Sequence, residues 1–224
     1  MTQIDKYFGD WIHVLDYDLL VHYREAIVNM YKTGYKFEPL PQNVFRAFRE
    51  CPFNDCKVVI VGQDPYPQHG VATGLAFAND IVQDAPEIMS PSLKIIRESV
   101  FSLAKFGEFP TFDPSLQSWA KQGVLLLNSA LTVATDKPDS HAKAWKPFFA
   151  KLATQLSLEK PNLCWILFGK RAWELNNYIS SGKVLTEYHP AYFARNNIQM
   201  GNWMWIAMNN YLKEEHSTTI KLYE

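Results

Sequence analysis

Along residues 17–32, YDLLVHYREAIVNMYK, the apolar positions Leu20, Tyr23, Ile27 and Met30 recur at spacings of three and four, one face of a helix. Residues 92–104 repeat the pattern with Leu93, Ile96, Val100 and Leu103, and Pro91 stands where a first-turn proline belongs. Residues 145–159 align Phe148, Leu152 and Leu156, and a final helix is predicted over 201–214. Pro41 opens a short helix carrying Val44, Phe45 and Phe48, and another short helix is predicted around 170–180. Between these lie runs of a different kind. KVVIV (57–61), GVLLLN (123–128), LCWILFG (163–169) and KVLTEY (183–188) are short and apolar, and read as buried strands. Four such strands separated by helical segments predict a parallel sheet in an α/β layered fold. No repeat, low-complexity stretch or linker divides the chain, so residues 1–224 read as a single domain.

What ends each strand changes the picture. The first runs into Gly62-Gln63-Asp64-Pro65-Tyr66, the second into Asn128-Ser129, and the fourth into His189-Pro190. Ligands of open α/β sheets bind at the carboxyl ends of the strands. A carboxylate, an amide and an imidazole far apart in sequence therefore converge on one small pocket, which suggests an enzyme. Each residue alone also has an ordinary reading. Asp64 and Asn128 suit turns, His189 suits a loop, and Phe77 in GLAFA suits a core.

Composition bounds the alternatives. The chain is 47% hydrophobic, enough for a substantial core, and no apolar run approaches a membrane span. The opening MTQIDKYFGDWIHV lacks the basic and apolar regions of a secretory signal. Net charge is -1, from 22 Lys+Arg against 23 Asp+Glu. That argues against tight, sequence-independent nucleic-acid binding, although a local positive face on a neutral body suffices for a nucleic-acid enzyme. Cys51, Cys56 and Cys164 form no C-x-x-C pair and read as reduced thiols of a cytosolic protein. His69 and His141 lack the short spacings of helical metal sites, and Gly70 and Gly74 lack a nucleotide-binding frame. The sequence calls for no metal and no cofactor.

In combination, GQDPY after a buried strand, then GLAF, SPSL, GVLLLN and a terminal HP resemble the classical uracil-DNA glycosylases. The resemblance extends to VFRAFRECPFNDCKVVIVGQDPY and covers nearly the whole chain. It implies a central four-stranded parallel sheet with helices on both sides. It also implies a monofunctional enzyme that hydrolyses the N-glycosidic bond of deoxyuridine in DNA, releases uracil and leaves an abasic site for base-excision repair. By that resemblance Asp64 is the catalytic carboxylate and His189 the donor to uracil O2. Gln63, Tyr66, Phe77 and Asn128 bind the base, with Tyr66 filling the space of a thymine methyl. Pro91 and Ser92 in SPSL, together with Phe193 and Arg195 after the HP, contact DNA, and Phe193 stands where the family has a wedging leucine. Lys94, Arg97 and Lys143 are further candidate phosphate partners.

The chain also departs from the family pattern. Pro67 replaces the histidine of GQDPYH, Thr73 replaces a second histidine, and Ala191 and Ala194 replace two loop serines. These changes bear on DNA affinity, duplex preference and turnover more than on the reaction. Two other readings compete: a catalytically weak glycosylase-fold module for DNA binding or replication processivity, and a metal hydrolase built from Asp64, His69, His141 and His189. The expected partners are single- and double-stranded uracil-containing DNA, a DNA-mimicking protein inhibitor and replication proteins, with no membrane. The expected protein is a monomer in the cytoplasm, or in the host-cell interior for a viral source.

Overall fold

The computed structural model describes residues 8–79 and 89–224. Residues 1–7, where the reading of the chain's opening begins, lie outside the described residues. Helix α1 (Tyr17–Lys32) occupies the predicted range. Asp16 starts it by accepting the Leu19 amide at 3.0 Å, the side-chain cap that an exposed N-terminus needs. Leu20, Tyr23 and Ile27 face inward, while Met30 is only half-buried. Strand β1 (Phe37–Glu38) follows, then a 3-10 turn at Pro41–Asn43 and the short helix α2 (Arg46–Glu50).

Strand β2 (Val58–Gly62) leads toward helix α3 (Pro91–Phe101), which ends three residues before the predicted stop. Ser90 caps α3 through the Leu93 amide. Helix α4 (Gln117–Lys121), strand β3 (Val124–Asn128) and strand β4 (Val133–Ala134) come next. Helix α5 (Ala142–Glu159) starts three residues before the predicted position and runs through Pro147. The remaining elements are β5 (Cys164–Phe168), α6 (Gly169–Trp173), a 3-10 turn at Glu174–Tyr178, β6 (Lys183–Glu187), α7 (Pro190–Asn196) and α8 (Trp203–His216).

The sheet is four-stranded and parallel, in the order β3-β2-β5-β6, with helices flanking it. Every residue of the central strands β2 and β5 is buried, so their uninterrupted apolar sequences are what two covered faces require. Strand β6 corrects the expectation of a fourth buried strand. It lies at the sheet edge, and only Leu185 is buried. A separate two-stranded antiparallel ribbon pairs β1 with β4, Phe37 opposite Ala134 and Glu38 opposite Val133. Two residues on each side are too few to leave a periodic trace, so the pattern missed it.

The topology fixes where a ligand belongs. β2 and β5 are neighbours, but the chain leaves β2 toward β3 on one side and leaves β5 toward β6 on the other. Divergent connections open a crevice at the carboxyl ends of such a pair.

Candidate active site

The crevice holds a cavity of about 380 Å³ lined by Gln63, Asp64, Tyr66, Phe77, Asn128 and His189, with Ser92 and Arg195 also on its wall. The parallel register sets Gly62 beside Asn128, so both strands stop at one level. A Cβ on residue 62 would lie 2.5 Å from Asn128 Oδ1 and 2.9 Å from Phe77 Cζ. Glycine is therefore what lets the amide and the ring reach the cavity floor. The Gln63 carbonyl then accepts from Ser129 Oγ at 2.7 Å and from the Ala130 amide at 3.1 Å, which ties the turn after β2 to the turn after β3.

Phe77 has φ +66, a left-handed conformation that is strained for a bulky residue and is held only by its surroundings. The holding contacts are visible. The Tyr66 hydroxyl donates to the Phe77 carbonyl at 2.9 Å and shares a 2.5 Å hydrogen bond with Ser90 Oγ. The Phe77 ring meets Phe168 edge-on at 5.3 Å and lies 5.5 Å from the His189 ring. Burial pushes the Tyr66 phenol up to about 12, so it stays a neutral donor.

His189 is the residue before α7 and caps it, with Nδ1 accepting the Ala191 amide at 3.2 Å. A ring nitrogen that accepts carries no proton, so the neutral ring bears its hydrogen on Nε2. Burial, followed by the nearby Arg195 charge, pushes the imidazole down to about 4. His189 is thus uncharged at neutral pH and has one N–H to offer. Gly169, at φ +81, makes room for it, because a Cβ there would lie 3.0 Å from His189 Cβ.

Asp64 Oδ2 accepts the Asp139 amide at 2.6 Å. Burial raises the Asp64 carboxyl above the usual carboxylate range, and the Asp139 carboxylate raises it further. The Asp139 amide and the Arg171 guanidinium oppose them. Arg171 in turn pairs with the Asp139 carboxylate. Asp139 holds its amide toward Asp64 from a φ of +66. The sequence reading missed Asp139 and Arg171. The available signal was a charged residue in the loop after β4 and another in the short helix after β5, which resembles an ordinary surface.

The DNA-contact candidates divide. Ser92 is buried against the cavity and Arg195 is exposed on its rim. Pro91 and Phe193 instead line a neighbouring groove between α3 and α7, together with Lys94 and Arg97. Phe193, the match to the family's wedging leucine, is only 8% exposed in the structure. An apolar ring gains more from packing between two helices than from standing in water. The exposed aromatic of α7 is Tyr192. Lys143 lines a separate pocket together with Asp139 and Arg171. Of the histidines of the metal-hydrolase reading, His189 lines the cavity with Asp64, but His69 and His141 do not. His69 Nδ1 bonds Glu38 at 2.8 Å, and His141 Nδ1 bonds Thr132 Oγ1 at 2.9 Å. No cluster of three or more His, Cys, Asp or Glu fit for a metal occurs among the described residues.

Residues 48–213 match the family model described as the Uracil DNA glycosylase superfamily. The chain is 34% identical over 218 residues to a uracil-DNA glycosylase of Borreliella burgdorferi, covering 94% of this chain and 95% of that protein. It is 37% identical over 190 residues to uracil-DNA glycosylase 2 of Bacteroides fragilis, covering 83% of each. The crystal structure of mimivirus uracil-DNA glycosylase superposes with a TM-score of 0.77 at 20% identity, covering 99% of both chains, and carries the same fold.

The histidine assignment has a direct check. In 15N NMR of the imidazoles, His189 is expected to stay neutral with its proton on Nε2 down to about pH 5 and to titrate about pH 4. A midpoint at the ordinary histidine value, or a proton on Nδ1, would contradict the capping geometry.

Proposed function

Because this chain belongs to the uracil-DNA glycosylase superfamily, we propose that it is a monofunctional glycosylase that hydrolyses the N-glycosidic bond of deoxyuridine in DNA and so initiates base-excision repair. One observation carries the reading. A carboxylate, a carboxamide and a neutral N–H donor meet in one cavity sized for a small ligand. The bond is inaccessible inside the helical stack, so the nucleotide must turn out of it and bring its base into the cavity.

There the bond breaks toward an oxocarbenium-like sugar and a uracil anion. Asp64, ionised at neutral pH, faces the sugar, stabilises its positive charge and orients the attacking water, as a carboxylate does for a glycosyl cation. His189 Nε2–H donates to uracil O2 as negative charge gathers there. A preorganised donor of this kind contributes roughly 3–4 kcal/mol. Asn128 carries both a donor and an acceptor, so it pairs with uracil O4 and N3–H, and cytosine would leave those groups unmatched. Phe77 stacks on the base. Tyr66, fixed by its two hydrogen bonds, occupies the space a thymine methyl needs.

Ser92 on the cavity wall and Arg195 on the rim serve the DNA phosphates. Because mimivirus uracil-DNA glycosylase variants have been crystallised in complex with UGI, a DNA-mimicking inhibitor is a natural ligand for the same mouth, and replication proteins are further candidate partners. The working compartment is the one that holds the DNA: the cytoplasm, or the host-cell interior for a viral source.

Uracil release from an oligonucleotide with a single deoxyuridine, in the presence of EDTA, tests the function. Asp64→Asn is expected to lower kcat roughly 10²–10⁴-fold while leaving DNA binding intact, and full activity in that variant would remove Asp64 from its role. Tyr66→Ala is expected to release thymine where the wild type releases none. Selectivity unchanged in a sensitive assay would count against the steric gate.

The Asp64 environment adds a pH prediction with two opposite signs. The rate falls on the acid side as Asp64 takes up a proton, and its raised pKa sets that limb above the usual carboxylate range. Asp139→Asn keeps the amide and removes a negative charge, so the limb moves to lower pH. Arg171→Met removes the opposing positive charge, so the limb moves to higher pH. Shifts of one sign in both variants would show that the pair acts only through general damage to the site.

A further inference from the structure

Glu38 is a carboxylate only 1% exposed, on a strand of two residues. Burying a charged group costs free energy unless it is bonded, and Glu38 directs both oxygens to one loop. Oε1 accepts from His69 Nδ1 at 2.8 Å and Oε2 from the Gly70 amide at 3.3 Å. That loop begins at Asp64. Pro67, Gln68, Ala72 and Gly74 in it line the cavity, whereas His69 turns outward with its side chain 82% exposed. The ribbon partner of β1 grips the same loop. Past the end of β4 the Asp136 amide donates to the Pro67 carbonyl at 2.9 Å, and the Asp139 amide then reaches Asp64. Ser140 Oγ accepts the Ala134 amide at 2.8 Å, which folds this segment back on β4. On the other flank Arg46 donates to the Thr73 carbonyl at 3.1 Å.

On the reading that Asp64 acts in uracil excision, we propose that Glu38 is a positioning residue: it locks the loop after β2 to the β1–β4 ribbon and so keeps the Asp64 carboxylate on the Asp139 amide. The ribbon carries both halves of this clamp. β1 supplies Glu38 to His69 and Gly70, and the segment leaving β4 supplies amides to Pro67 and Asp64. The two halves are set against each other by two paired residues on each strand. A two-stranded ribbon adds little stability of its own, so its contribution is placement. The Pro67 carbonyl alone would be a single hydrogen bond about which the loop can pivot, and Glu38 supplies the second point that stops the pivot. The displacement that matters is small, because a misplacement of about 1 Å in a reacting group costs a large part of a rate. The Asp139 amide also opposes the rise that burial imposes on the Asp64 carboxyl. A carboxylate that slips from that amide therefore takes up its proton at higher pH.

Uracil release and amide hydrogen exchange together test the clamp. Glu38→Ala is expected to lower kcat about 10–100-fold with KM little changed, and to move the acid limb of the rate to higher pH. Glu38→Gln keeps an acceptor for the Gly70 amide and is expected to restore most of kcat and the wild-type limb. His69→Ala removes one of the two bonds at an exposed position, where folding is not at stake. It is expected to give a smaller loss of the same kind, and to add nothing to the loss when combined with Glu38→Ala. A loss in Glu38→Ala with the limb unmoved, or no recovery in Glu38→Gln, would overturn the positioning role. If the alanine at position 38 fails to fold, an unaffected His69→Ala would overturn it instead. The second readout needs no turnover. In exchange followed by 15N NMR, the Gly70 and Asp139 amides are expected to exchange faster in His69→Ala than in the wild type, and unchanged exchange at Asp139 would break the link between the ribbon and Asp64. Wild-type protein that releases no uracil would overturn the glycosylase reading, while the exchange comparison still decides the clamp.

Discussion

Asn128 reaches the cavity because residue 62 has no side chain. The two stand opposite each other on neighbouring parallel strands, and a methyl group at position 62 would come within 2.5 Å of the amide oxygen and 2.9 Å of the Phe77 ring. The rest of the site inherits this closeness. The turn after β2 carries Gln63, Asp64 and Tyr66, and it is bound to the turn after β3 through Ser129 and Ala130. Phe77 keeps its left-handed backbone because Tyr66 bonds its carbonyl. The ladder pairs Val58 through Gly62 with Val124 through Asn128, residue for residue. The apolar cores of β2 and β3 therefore fix the position of polar groups they never touch.

Burial does opposite work on the two titrating groups. It disfavours charge on both, so it raises the Asp64 carboxyl and lowers the His189 imidazole. The neighbours then divide the outcome. Asp64 receives the Asp139 amide and the Arg171 charge, which keep an anion affordable. His189 receives Arg195, which pushes it further from protonation. The cavity thus sets a carboxylate beside an uncharged donor. On the proposed reaction, that combination matches a cationic sugar and an anionic leaving base.

The framework was legible because strand and helix periodicities are long-range averages over many residues. β2, β3, β5 and α1 lie where their apolar patterns put them, and Asp64, Asn128 and His189 meet because strand ends in a parallel sheet share one edge. What escaped depends on single contacts. The ribbon of β1 and β4 has two residues per strand. Seven residues after His189 form a helix rather than a loop, since proline at the first helical position is compatible with either. Phe193 was placed by its position in a motif, and that position says nothing about which side of α7 faces α3. Asp139 and Arg171 acquire meaning only from a backbone amide 75 positions away from the carboxylate it holds.

His189 also has a mechanical part. The nitrogen that caps α7 is the one whose occupation leaves the other nitrogen protonated. The chemistry at Nε2 and the folding of the segment that bears Tyr192 and Arg195 are thus two ends of a single bond. When the first turn of α7 opens, the ring loses the partner that fixes its tautomer and its orientation together.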